Sequence, residues 1–128
     1  MRIAFYGSSL VSAYWNGAAT YYRGLLRALS AHGHAIAFYE PDAYDRQAHR
    51  DIDPPPWADV RVWPATAEGA LAVLREAAAA DVVVKASGVG VFDGVLAGGV
   101  LRHASPGAVR VFLDVDAPAT IAAMRGGE

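Results

Sequence analysis

Arg2-Ile-Ala-Phe-Tyr-Gly7 and His32-Gly-His34-Ala-Ile-Ala-Phe-Tyr39, with one helical period between them, decide the fold. Each is a short apolar run bounded by glycine, the pattern of a buried strand. A loop from Gly7 to Gly17 leads into 18–31. There Tyr22, Leu25, Leu26 and Leu29 fall at i, i+3, i+4 and i+7, while Arg23 and Arg27 lie off the stripe, which predicts an amphipathic helix. Asn16 stands where a cap is needed and Gly33 suits the left-handed turn at the far end. The opening is therefore strand, helix, strand.

Outward from this unit the alternation continues. The second strand is expected to stop at Glu40-Pro41, because proline cannot donate to a ladder, with Glu40 a turn residue. Residues 42–57 are polar and aromatic. A short helix is expected over 44–50, and Pro54-Pro55-Pro56 excludes regular structure. Residues 60–63 read as a third strand, 64–66 as a turn, and 67–80 as a helix turning Leu71, Leu74 and its alanines to the sheet. Val82-Val83-Val84 suits a central parallel strand buried on both faces, with Ser87-Gly-Val-Gly90 as its exit. A glycine-weakened helix over 91–103 presents Val91, Val95, Leu96 and Val100. Residues 109–115 form a fifth strand, and Pro118 starts a last helix. The reading is α/β: one Rossmann-like domain over 1–128, a doubly wound parallel sheet of about five strands in the order 3-2-1-4-5 with helices on both faces.

Composition narrows the function classes. The 128 residues suit a single core,. No apolar run reaches the ~20 residues of a membrane span. The N-terminus enters an apolar strand after one arginine, without the features of a secretory signal, so a cytoplasmic protein is expected. With no cysteine, disulfides and thiolate chemistry are excluded,. A net charge of −2 offers no attraction to nucleic acid,. Ten of the 11 basic residues are arginine, Lys85 being the exception.

In an open parallel sheet, ligands bind beyond the carboxyl ends of the strands where strand order reverses, here between strands one and four. That point gathers Ser8, Ser9, Asn16 and Gly17 on one side and Lys85, Ser87 and Gly88 on the other, with Asp114 from strand five. Gly17 at a helix start can present backbone N–H groups to an anion or a hydroxyl, or serve only as a turn. Lys85 leaves a buried strand and must reach solvent, an acid or a ligand: it either snorkels outward, pairs with Asp114 or Asp116, or holds an anionic ligand. Asp114-Val-Asp116 is similar to the metal-binding D-x-D of another fold, but Asp116 before Ala117-Pro118 reads as a helix cap. Tyr44, Arg46, His49 and Arg50 form either an overhang of the cleft or a solvated loop. The four histidines lack metal-ligand spacing, and no metal or cofactor is expected.

Tyr21-Tyr-Arg-Gly-Leu-Leu-Arg-Ala-Leu29, joined to the opening unit, resembles the N-terminal domain of GT-B glycosyltransferases. Phe38-Tyr-Glu-Pro-Asp-Ala-Tyr-Asp-Arg46, Ala80-Asp-Val-Val-Val-Lys-Ala-Ser-Gly88 and Phe112-Leu-Asp-Val-Asp-Ala-Pro118 resemble, more narrowly, the CgeB-like spore-maturation glycosyltransferases of the group 1 type. The resemblance implies transfer of a sugar from a nucleotide-sugar co-substrate to an acceptor held between two Rossmann-like domains. This chain would be the acceptor-side half. Its partner would be a C-terminal donor-binding domain, in cis or trans, and activity alone is not expected. Ser8, Ser9, Asn16 and Gly17 would line the acceptor and phosphate region, flanked by Ser87, Gly88 and Asp114. No histidine follows strand one, where many inverting members keep a base, which implies retention of configuration or a degenerate activity. A non-catalytic module binding a nucleotide or polyol is the alternative, and a homo-oligomer is left open.

Overall fold

The structure, a computed structural model, describes residues 1–114. In chain order it holds β1 (Arg2–Tyr6), α1 (Ala19–Ala31), β2 (Ala35–Asp42), β3 (Ala58–Pro64), α2 (Ala67–Arg75), β4 (Val82–Ala86), α3 (Asp93–His103) and β5 (Val109–Leu113). Short 3₁₀ turns occupy Arg46–His49 and Glu76–Ala79. The five strands form one parallel sheet in the order β3-β2-β1-β4-β5, as expected. The expected last helix and Asp116 lie outside the described residues.

Alternation along β1 divides the core in two. Ile3 and Phe5 pack with Tyr22 and Leu26 of α1 and with Ile36 and Phe38 of β2. Ala4 and Tyr6 face the other way, onto Val73 and Leu74 of α2 and Leu96 and Val100 of α3. Phe5 stacks on Phe38 at 5.2 Å and meets Tyr22 edge-on at 5.1 Å, while Tyr6 stacks on Tyr39 at 4.7 Å. Each such ring contributes roughly 1.5–3 kcal/mol by leaving water.

Several boundaries correct the sequence reading. β2 runs through Glu40 and Pro41 to Asp42. β1 ends at Tyr6, opposite Tyr39, whereas β3 stays paired to Asp42. Beyond Tyr39 one side of β2 has no neighbouring strand, so the N–H that Pro41 lacks is not needed there. The helix expected over 67–80 tightens into a 3₁₀ turn after Arg75. Leu71 is 41 % exposed and Val95 49 %, so neither faces the sheet; Gly69, Ala70, Val73 and Leu74 form the buried stripe of α2, and Leu96, Gly99 and Val100 that of α3.

The turns that aim the chain at the strand ends use glycine for stated reasons. A Cβ on Gly7 would lie 2.7 Å from the Phe38 ring, so only glycine lets the chain cross β2 at this height. Gly33 has φ +90° and ends α1, with its own N–H on the Ser30 carbonyl,.

Candidate functional site

The loop from Gly7 to Ala18 is held by side chains rather than by secondary structure. Ser9 Oγ donates to Glu40 Oε2 at 2.6 Å, the Leu10 N–H donates to Glu40 Oε1 at 3.1 Å, and Gln47 Nε2 donates to Oε2 at 2.7 Å. Glu40 is fully buried. It is therefore not a turn residue: it is the acceptor that ties this loop to β2. A carboxylate there costs desolvation that the three donors offset.

Asn16 does not cap α1. The residue at that position is Ala18, without a side-chain bond. Instead Asn16 Oδ1 accepts from Ser8 Oγ at 2.7 Å and Nδ2 donates to the Ser9 and Ser12 carbonyls at 3.0 and 2.9 Å. This folds the loop back on itself and presents Gly17 and Ala18 ahead of α1. Arg23 clamps the same loop from α1, with Nε on the Leu10 carbonyl at 2.8 Å and a bidentate pair to Asp51. The Arg23 guanidinium holds the Asp51 carboxyl down at about 2, from a usual 3.8,.

Lys85 is 2 % exposed, and Asp93, which the sequence reading did not single out, is a carboxylate partner of its ammonium. Nζ donates to Asp93 Oδ1 at 2.8 Å and to the Ala86 carbonyl at 2.5 Å. Asp93 also accepts from the Val89 and Gly90 N–H groups at 3.1 and 2.9 Å. The ammonium thus braces the exit of β4 against the start of α3. Across the gap, Tyr44 donates its hydroxyl to the Gly90 carbonyl at 2.7 Å. The left-handed backbones of Trp15, Tyr44, Asp45 and Phe92 all fall in these loops, where strain is commonly held at ligand sites.

The loops enclose a cleft of about 730 Å³ beyond the carboxyl ends of the strands. Ser8, Asn16 and Gly17 line one side, and Ser87, Gly88 and Asp114 line it with them. Six of the eight residues singled out from sequence thus meet around one space. Ser9 and Lys85 do not line it: they are spent on Glu40 and Asp93. Ala18, Tyr21, Tyr22, Trp15 and Arg46 complete the wall. Trp15 is 82 % exposed.

Arg46 was half-legible. Of the stretch Tyr44 to Arg50, only Arg46 enters the cleft wall. His49 stacks on Tyr14 at 3.9 Å and Arg50 bonds Gln47. Arg46 is 5 % exposed, with Nε on the Tyr14 carbonyl at 3.3 Å and Nη2 on the Trp15 carbonyl at 3.0 Å. Burial pulls its affinity for its proton down. The signal in sequence was an arginine beside Tyr44, on whose ring it sits at 4.9 Å,.

No family model, curated protein or solved structure matches the chain. Among the described residues no group of three or more histidine, aspartate or glutamate side chains is arranged to hold a metal ion, and no helix is long and apolar enough to cross a membrane. Among the described residues, the cleft lining carries serine hydroxyls, the amino end of α1, the Asp114 carboxylate, the Arg46 guanidinium and an exposed indole.

Proposed function

We propose that the domain is the acceptor-side half of a two-domain sugar transferase, holding a polyhydroxylated acceptor in the cleft while a second, donor-binding domain supplies the nucleotide-sugar. The observation that carries this reading is the meeting of Ser8, Asn16 and Gly17 with Ser87, Gly88 and Asp114 around one space of about 730 Å³. Its size suits a small ligand, and convergent hydroxyl and carboxylate groups beside an aromatic face suit a sugar ring. Val109, Val111 and Phe112 are exposed on β5, the strand that leads to Asp114.

A non-catalytic module for a nucleotide or polyol is the second reading. It is favoured by the engagement of Lys85 with Asp93 and of Glu40 with three donors, since both groups are held by the fold. Calorimetric titration separates the two. The chain is titrated with nucleotide diphosphate sugars and with free sugars, alone and with a donor-binding domain of a GT-B transferase added. The acceptor-side reading expects free sugars to bind the chain alone and turnover to need the added domain. Tight binding of a nucleotide-sugar by this chain alone would overturn it in favour of the binding module.

A further inference from the structure

A guanidinium taken out of water needs a carboxylate, several carbonyls or a bound anion to replace its hydration. Arg46 has two carbonyls, from Tyr14 and Trp15, and the Tyr44 ring. Its third nitrogen, Nη1, is buried and has no partner among the described residues. Glu40 acts on Arg46 through its charge, but its oxygens accept hydrogen bonds from Ser9, Leu10 and Gln47 and not from Nη1. The ion pairs among the described residues join Arg23 to Asp51, Arg61 to Asp59 and Glu76, and Lys85 to Asp93, leaving Arg46 outside them.

The same cleft is bordered by Gly17, Ala18 and Tyr21, at the amino end of α1. This helix has 13 residues, no acidic side chain in its first turn and no side-chain cap. Its positive end is therefore left for whatever occupies the cleft. Two sources of positive potential, one of them a buried cation with an unpartnered donor, belong to one wall.

We infer that the cleft takes an anionic ligand, a sugar carrying a phosphate or carboxylate, whose oxyanion is received by Nη1 of Arg46 at the amino end of α1. Asp114 and Ser87 also line the cleft. Arginine suits the task because its planar fork can keep the two carbonyls while offering the third nitrogen. The inference rests on the polyol reading of the cleft and adds the charge of its ligand.

The test uses the full chain at matched ionic strength with four probes: glucose, glucose 6-phosphate, glucuronate and inorganic phosphate. Affinities come from calorimetry, and nitrogen-15 chemical shifts locate the contacts. A charged sugar is expected to bind about tenfold to a hundredfold tighter than glucose, with shifts at Gly17, Ala18, Tyr21 and the Arg46 side chain, weakening as salt rises. Preference for glucose 6-phosphate assigns a phosphate and preference for glucuronate a carboxylate; either supports the inference.

Arg46→Met is expected to abolish the preference. Because Arg46 also anchors Tyr14 and Trp15, Arg46→Lys is measured beside it, and the wild-type shift map needs no variant. Equal binding of glucose and its charged forms would overturn the inference and leave the polyol reading standing. Inorganic phosphate bound as tightly as glucose 6-phosphate, with shifts at Arg46, would support the anion site and remove the sugar reading. Absence of cleft shifts with every charged probe would overturn it.

Discussion

Glu40 and Asp51 hold the cleft loop by opposite means. Glu40 is a carboxylate without water, held by Ser9, Leu10 and Gln47. Glu40→Gln turns an amide NH₂ toward one of these donors, and a loss of about 2–3 kcal/mol is expected in urea unfolding. An unchanged midpoint would mean that these bonds do not hold the loop. Asp51 sits at the surface, its side chain 47 % exposed, paired to Arg23. Its folded pKa is depressed, from 3.8 to about 2. The unfolded chain therefore binds the proton first, and the stabilisation, full above pH 3.8, disappears as pH falls through about 2,. Solvent screening keeps it below ~1 kcal/mol. Stability curves of wild type and Asp51→Asn should converge across that window and diverge above it.

Helices in this fold are limited by what lies against them. Gly24 on α1 has open space where a Cβ would go, so Gly24→Ala should stabilise by about 0.5–1 kcal/mol through propensity alone,. Gly69 in α2 has the same intrinsic deficit, but a Cβ there would overlap the Pro64 carbonyl oxygen. Gly69→Ala is expected to destabilise by about 1–3 kcal/mol despite its higher propensity. Thermal melts of the two variants should move in opposite directions. The same logic explains why α3 tolerates Gly99: its missing side chain makes room for Leu74 of α2. Periodicity assigned Leu71 and Val95 to the core because it counts apolar residues, whereas the neighbouring helix selects glycine and alanine for close approach.

At the scale of the molecule, both layers of the core depend on tyrosines. Tyr6, Tyr22 and Tyr39 are buried, and burial raises each phenol above its usual 10. Tyr6 also donates to the Val73 carbonyl at 2.7 Å, tying β1 to α2. Above pH 10 the unfolded chain loses these protons while the folded chain keeps them, so stability falls as pH rises. The slope is roughly 1.4 kcal/mol per pH unit for each tyrosine. Ultraviolet titration of these phenolates should coincide with loss of near-ultraviolet dichroism; ionisation in a chain that stays folded would contradict it.

The α/β class and the order of the sheet were determined by the sequence alone. Strand and helix periods are local, and a run such as Val82-Val83-Val84 carries its burial in its own residue types. So was the neighbourhood of the cleft, because strand order sets which loops meet. Partner choice was decided only by the tertiary structure. Glu40 binds Ser9, 31 positions away, and Arg46 reaches Tyr14, 32 positions away. Lys85 was expected to meet Asp114, Asp116 or a ligand, and it binds Asp93 at the start of α3. No local pattern encodes such pairings: they depend on the path of loops whose backbone is fixed by the side-chain bonds themselves.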